Sequence, residues 1–376
     1  MSETLTRGKQ PVPDGGLPEP VRLEEELATT PEVSFLNYRQ LTWRRFRKST
    51  LGLTAGCVVI AFYIVAIFAN FFAPYGRSTV SIEYLHMPPQ GLHFSMEHGL
   101  HIYGMKYVPD ELTGSLTAVA DPSKIHSVKF FAKDASGQRK LVTSDGPMFL
   151  MGTDRMGRDL LSMIIYGSQI SLTVGLIGVV LSLTLGSLLG TLSGYCGGWI
   201  DEGVQRVIEL LSAFPGLCLW MAIAAAVPPD WEPVKVYMGI TVILSILTWG
   251  GLARQIRGKV LAYREQDFVM AAKSVGASHW HIITKHLLPG CYSHIIVIST
   301  MAIPGMILGE TALSFLGIGI RPPMVSWGVL LNEALRVTVL VQNPWLLFPA
   351  IPVLIIVVSF NFLGDALRDA ADPYTS

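Results

Sequence analysis

Residues able to do chemistry are few in this chain, and they do not gather. His86, His93, His98 and His101 fall within sixteen residues, and imidazole is the commonest protein ligand for metals. Their spacing matches no metal-site template, and solvated loop histidines are ordinary, so no metal site is assigned. The four cysteines, Cys57, Cys196, Cys218 and Cys291, sit in or beside apolar runs with no two close in sequence. That argues against a disulfide framework and against a cysteine metal site. A Gly-x4-Gly-Lys-Ser/Thr phosphate loop is missing: Gly258-Lys259 is followed by Val260 and lacks the upstream glycine. With no nucleophile–base pair on a plausible surface, an enzyme is a weak reading, and no nucleic-acid partner is expected.

What remains is one polar island between two apolar runs. It reads Met270-Ala271-Ala272-Lys273-Ser274-Val275-Gly276, then His286-Leu287-Leu288-Pro289. Residues 265–273 lack Gly and Pro and suit a short helix. Gly276 breaks it. Ser278 suits the cap of a second helix through Trp280, Ile282, Ile283 and Leu287, which is expected to end at Pro289. Two short helices at an angle make a protruding elbow. Ala271 and Ala272 keep its surface flat, and Trp280 offers an aromatic anchor of the kind that dominates interfaces. This is docking chemistry: a soluble partner pushes on a membrane-embedded body.

The elements that carry the elbow are lipid-buried. Half of the residues are hydrophobic and 15% are charged, and the mean hydropathy is +0.44, the profile of a polytopic membrane protein. Uncharged runs cover 51–74, 160–200, 210–229, 236–253, 287–309 and 337–364, each near or above the ~18–20 residues that cross roughly 30 Å of hydrocarbon. The second run is too long for one crossing and reads as a short leading helix at 160–166 followed by a span at 170–195. Six crossings result. Arg39, Arg44, Arg45, Arg47 and Lys48 before the first span put the N-terminus in the cytoplasm, and six crossings return the C-terminus there. The basic loop after the fourth span, with Arg254, Arg257, Lys259, Arg264, Lys273 and Lys285, then lies inside too.

Outside the spans, residues 1–33 read as a disordered cytoplasmic tail. Residues 34–50, with Phe35, Tyr38, Trp43 and Phe46 among the arginines, read either as a helix at the lipid interface or as a positive-inside flank. A cleaved signal peptide is not expected, since the first span lies too deep. The polar stretch 75–150 alternates with period two around Ser127–Lys133 beside the turn residues Asp134-Ala135-Ser136-Gly137, which predicts a β-hairpin in a small, mostly β, extracytoplasmic insertion. Residues 367–376 form a short cytoplasmic tail.

Within the bilayer, Gly178, Ser182, Gly186, Gly190 and Gly194 fall near one helical face, a groove that admits another helix. Packing inside the bundle is the favoured reading, and a pore-lining face or a contact with another subunit is the alternative. Glu310 and Glu209 are carboxylates at membrane depth, each needing a partner or water. Glu209 is placed on the apolar side of an amphipathic start at 201–211, with Arg206 as its i,i+3 partner. No partner is evident for Glu310, and a substrate-path role and a structural role both stay open. Pro215, Pro304, Pro349 and Pro352 predict kinks.

At the elbow the chain resembles a known family. Ala271-Ala272-x3-Gly276 through Leu288-Pro289 is similar to the coupling-loop signature of ABC importer permeases, with Met270 where the family usually has Glu and His286 where it usually has Ile. Met151-Gly152-Thr153-Asp154-Arg155-Met156-Gly157-Arg158-Asp159 looks like the segment before the second span of dipeptide/oligopeptide (peptide/nickel/opine) permeases. Gly194–Asp201, Ala213-Phe214-Pro215, Glu310–Gly317, Ser326-Trp327-Gly328, Asn361–Asp365 and Arg368-Asp369 are similar to further landmarks of that subunit type. Together they span about 34–373.

The resemblance implies an all-α polytopic protein with the six transmembrane helices of the type I ABC importer fold. Residues 151–366 would form the permease core and 263–290 the coupling loop. Met270, Ala271, Ala272, Gly276, Trp280, His286, Leu288 and Pro289 would meet the ATPase. It further implies a homologous second permease, two cytoplasmic ATPase subunits that use ATP, a periplasmic binding protein, and a bacterial inner-membrane location. No cofactor is bound directly. Peptides are the expected cargo, with oligosaccharide, opine or nickel as the alternative. A stand-alone secondary transporter is less consistent, because no inverted halves are visible.

Overall fold

The computed structural model describes residues 38–109, 116–134, 137–228 and 230–371, so the expected tail at 1–33 and the last residues lie outside it. A helix α1 (Tyr38–Phe46) leads to α2 (Thr50–Ile67), where the Ser49 hydroxyl accepts from Gly52 N at the N-cap. One further turn, Ala69–Phe72, ends the first apolar run. Four strands follow: β1 (His93–Ser95), β2 (Gly99–Pro109), β3 (Leu116–Phe130) and β4 (Val142–Ser144).

The remaining chain is helical: α3 (Leu160–Cys196), α4 (Gly198–Ser212), α5 (Gly216–Ala225), α6 (Pro233–Tyr263), α7 (Asp267–Ser274), α8 (His279–Ile282), α9 (Leu288–Phe315), α10 (Trp327–Asn332), α11 (Val337–Gln342) and α12 (Ala350–Ala371). Among the described residues, five helical stretches are long and apolar enough to cross a membrane, or six if a bent pair counts as one.

Three expected spans differ from the helices observed. The run 160–200 does not break after residue 166. It continues as one 37-residue helix, about 55 Å long at 1.5 Å per residue, so it projects beyond the hydrocarbon. Gly167, at the expected break, instead gives room to Trp327, whose Cδ1 would lie 3.2 Å from an added Cβ. The run 210–229 is not a straight span: α4 and α5 meet at 85°. Pro215 supplies no backbone donor there and disfavours helix in the residue before it. The run 337–364 is broken at its start, because Pro344 separates α11 from a 3-10 turn (Pro344–Leu347) that precedes α12. Pro352 falls in the first turn of α12, where no internal bond is lost.

The small-residue face resolves to packing within the chain. It forms the seam between α3 and α6. A Cβ added at Gly186 would come within 2.8 Å of Leu252 Cβ, one at Gly190 within 2.5 Å of Ala253 O, and one at Gly194 within 2.9 Å of Arg257 O. Thr248 Oγ1 donates to Ser182 Oγ across the same seam at 3.2 Å. Gly178 turns toward Met306 of α9. Lipid gives helices no hydrophobic reason to associate, so this backbone approach supplies the dispersion contact that does.

The strands form one antiparallel sheet in the order β1-β2-β3-β4, and β3 and β4 make the expected hairpin. Its core is Ile102, Val128 and Met148. The sheet is fastened to the helices. Lys140, almost fully buried, donates its ammonium to Asn70 O at 2.8 Å, and Leu141 N donates to Phe71 O at 2.8 Å. Burial holds the Lys140 amine below its ordinary value. His93 and His101 are cross-strand partners with ring centroids 6.1 Å apart. Among the described residues, no three metal-ligating side chains are grouped to hold an ion.

The seam yields a direct test. Gly190→Ala is expected to cost about 1–3 kcal/mol through overpacking and to lower the melting temperature in detergent. Gly203→Ala, where an added Cβ meets nothing within 4 Å, serves as the control. Equal melting temperatures for the two variants would contradict the packing.

Candidate coupling site

The elbow has one exposed face and one buried face. Helix α7 ends at Gly276, whose φ of +78° lies in the left-handed region, where a side chain is strained and glycine is not. The Ser278 hydroxyl then accepts from His281 N and starts α8. Below the elbow, Val269, Ala272, Ile282, Ile283 and Leu287 pack with Ile256 and Val260 of α6, Cys291 and Ile295 of α9, and Tyr195 of α3. Leu288 joins this cluster from its edge. On the other face, Phe268, Met270, Ala271, Val275 and Trp280 are exposed, Trp280 to 60% and Val275 to 84%.

Two expectations for the elbow change. Ala272 does not flatten the outer surface, since it is buried against the dry cluster, and Ala271 alone of the pair faces out. Ala272 shares that buried cluster with Val269, Ile282 and Leu287. The second helix also does not end at Pro289. It passes through a π-helical turn (Ile283–Leu287) directly into α9, with Pro289 in the first turn of that helix. The missing proline donor is tolerated there, and the wider turn takes up the change in ladder. His286 is half-buried between Phe268 and His281, with ring centroids at 6.4 and 5.8 Å.

Contacts outside the loop signature fix the elbow to the bundle. Tyr195 OH lies 3.0 Å from His279 Nδ1, and the Lys273 ammonium sits 5.5 Å from the Tyr195 ring centroid. Arg264 donates to Gly194 O at 3.2 Å. About two helical turns earlier in α6, Arg257 grips Asp201 of α4 with two nitrogens at 2.6 and 2.5 Å, and Ser193 of α3 donates to the same carboxylate. The bidentate geometry makes this the firmest ion pair near the elbow. Reading residues singly missed Tyr195, Asp201, Arg257 and His279. The signal available was the Gly194–Asp201 landmark, whose end residues are both used here.

The membrane carboxylates also find their places. Arg206 meets Glu209 at 3.0 Å as expected, but both side chains are more than half exposed, so Glu209 does not lie on the apolar side and the pair adds little stability. Glu310 is fully buried and answered by hydroxyls. Ser314 Oγ donates to its Oε1 at 2.7 Å and Ser171 Oγ to its Oε2 at 3.1 Å. Those two serines accept in turn from Ile320 N and Trp327 N. Glu310 therefore pins both ends of the segment before α10 to α3 and α9.

A second fastener uses the landmark at 152–159. Asp154 and Arg158 form a buried pair at 2.6 Å, Asp159 caps α3 by accepting from Ser162 N, and Thr153 Oγ1 accepts from Met87 N. Arg155 reaches Glu333 at 3.3 Å. The loop thus joins the stretch before β1, α3 and the stretch after α10.

With this geometry established, residues 182–376 match the family described as the binding-protein-dependent transport system inner membrane component. Residues 37–89 match the N-terminal transmembrane domain of oligopeptide transport permease C. The chain is 32% identical over 331 residues to the glutathione transport system permease protein GsiD of Escherichia coli, covering 88% of this chain and 89% of the relative. It is 38% identical over 223 residues to GsiD of Pectobacterium atrosepticum, covering 59% of this chain and 72% of that one. The chain belongs to the binding-protein-dependent transport system inner membrane component family. It is a multi-pass ABC importer permease of the peptide and oligopeptide branch, a family that works with partner ATPases and a substrate-binding protein.

The hinge can be tested at its one strained position. Gly276→Val is expected to cost about 1–2 kcal/mol at the elbow and to lower ATP-driven uptake without reducing membrane insertion. Gly276→Asn, which tolerates the same backbone region, should retain most uptake. Equal uptake by Gly276→Val and the parent would count against the hinge.

Proposed function

We propose that this chain is one of two homologous permeases of an ATP-driven importer of peptides. In this reading six crossings, with α4–α5 as the bent third, place both termini and the elbow in the cytoplasm of a bacterial inner membrane, and the sheet outside. Separate ATPase subunits bind and hydrolyse ATP. Their closure pushes on the wet face of α7 and α8, and the π-turn carries that push into α9. The bundle then exchanges an inward-facing for an outward-facing opening, and the binding protein delivers solute to the outer side.

The observation that carries this reading is the division of the elbow. Five exposed residues, four of them large and apolar, stand on a cluster that ties α3, α6 and α9 into one base. An unpartnered apolar ridge on a polar loop marks a protein contact, and a dry base is what a lever needs to transmit force. Met270, Ala271, Gly276 and Trp280 are assigned to the contact itself. Ala272 and Leu288 belong to the base beneath it, Pro289 is exposed in the first turn of α9, and His286 lies between. Peptide as cargo is supported by the glutathione transport named for both relatives and by the oligopeptide permease match.

Two experiments test it. Trp280→Ala is expected to weaken ATPase docking by about 30-fold, the equivalent of a ~2 kcal/mol hot spot, read as the concentration of purified ATPase that half-saturates the membrane-bound permease. Unchanged docking would reject the wet face as the contact. For the sheet, Gln90 N and Phe149 O are only 2.9 Å apart, so residues 91–147 can be replaced by a short glycine linker. Donor-stimulated ATP hydrolysis is then expected to fall toward the unstimulated rate. Full stimulation would remove the sheet from the donor contact.

A further inference from the structure

A cavity of about 920 Å³ opens beside the root of the elbow, between α6, α9 and α12. Its volume falls within the ~300–1,000 Å³ of sites that hold small molecules. Its charge is one-sided. Lys259 of α6 and Arg368 of α12 converge on it beside His294 of α9, and among the described residues no aspartate or glutamate lines it. Lys259 and Arg368 are also the charged groups that act on His294. Neighbouring charges lie elsewhere: Arg257 on α6 is committed to Asp201, and Asp365 and Asp369 on α12 stay outside the lining.

The polarity runs inward along a helical face. Gln255 and Lys259 stand one turn apart on the cavity side of α6, with Ser293 of α9 also in the lining. Ser293 and His294 fall inside the fifth apolar run, where polar groups face water-filled space and mark solute paths, and Lys259 and Arg368 stand at the elbow end of the same cavity. A groove made for an acyl chain has no use for them. Unopposed cations between low-dielectric walls focus the field and raise the local anion concentration by about 10- to 1,000-fold.

We propose that this cavity is the inner leg of the solute path, and that its unopposed positive charge favours solutes of net negative charge, such as peptides with more carboxylates than amines. The proposal rests on the importer reading, with the elbow end inside the cell.

The test uses the complete importer in membrane vesicles, with the four native cysteines replaced by serine and Ser293→Cys added. Membrane-impermeant anionic and cationic methanethiosulfonates are compared, each rate normalised to that reagent's rate with a free thiol. The anionic reagent is expected to be favoured about tenfold or more, and Lys259→Gln with Arg368→Gln should bring the ratio toward one. No preference, or a preference that survives both substitutions, would overturn the proposal. So would a preference that appears only after anionic phospholipid is removed, which would assign the cations to a lipid headgroup. Reaction from the opposite membrane face alone, with the preference intact, would overturn the orientation and the inner-leg assignment together, while the charge effect stood.

A second measurement keeps the native cysteines. In donor-dependent uptake, the ratio of an acidic to a neutral peptide should fall about tenfold in the Lys259→Gln/Arg368→Gln variant. An unchanged ratio would also overturn the proposal. Loss of all ATP-driven uptake in the parent importer would instead reject the importer reading.

Discussion

The close approach of α3 to α6 is the constraint on which the rest of the molecule depends. Gly186, Gly190 and Gly194 bring the two backbones into contact over two turns, and the same two helices continue past the seam as the supports of the elbow. Tyr195 at the end of α3 reaches His279, and Val260 near the end of α6 lies in the dry cluster. A push on the elbow therefore meets two helices locked together. Larger residues in the seam would separate those supports, and the elbow would stand on a compliant base.

Beyond the seam, polar groups hold what apolar packing leaves free. Each fastener is built on a buried or half-buried carboxylate: Asp201 with Arg257 and Ser193 and Glu310 with Ser171 and Ser314 join separate helices, and Asp154 with Arg158 closes the loop before α3. In a low-dielectric interior such groups are costly alone and directional when satisfied. The three therefore act as register pins. Asp201 sets α4 against α6 near the elbow, and Glu310 sets the segment before α10 at the far end of the bundle. The elbow end and the far end are thus tied to the same helix, α3, which carries both Ser193 and Ser171.

Much of this was legible in the residues, and the failures have common causes. Long uncharged runs located the helices because lipid demands continuous apolarity, and Gly276 and Ser278 marked the hinge because backbone sign and capping are local properties. Breaks were read poorly. The break expected after residue 166 is absent, since Gly167 gives room to Trp327 within one continuous helix. Pro344 breaks a run that is uncharged throughout, whereas the kink expected at Pro215 is present as the 85° bend between α4 and α5. Apolarity alone does not record backbone continuity. Ala272 and Glu209 were placed on the wrong faces because facing depends on which neighbour lies alongside. The partners of Glu310 were invisible for the same reason, since Ser171 stands 139 positions away.

The π-turn at Ile283–Leu287 connects these themes. A strict α-helix from His279 through Phe315 would need a donor at Pro289, which has none. Widening one turn relieves that mismatch without separating α8 from α9, so the chain keeps a mechanical connection where a clean stop would have made a loose joint. Displacement of α8 by a partner would then appear as rotation or bending of α9 at this turn. Helix α9 carries Glu310 at its other end, together with one wall of the cationic cavity. A single helix therefore links the elbow, the cavity beside it and Glu310 at the far end of the bundle, so a displacement at one of these places is carried along one continuous element to the others.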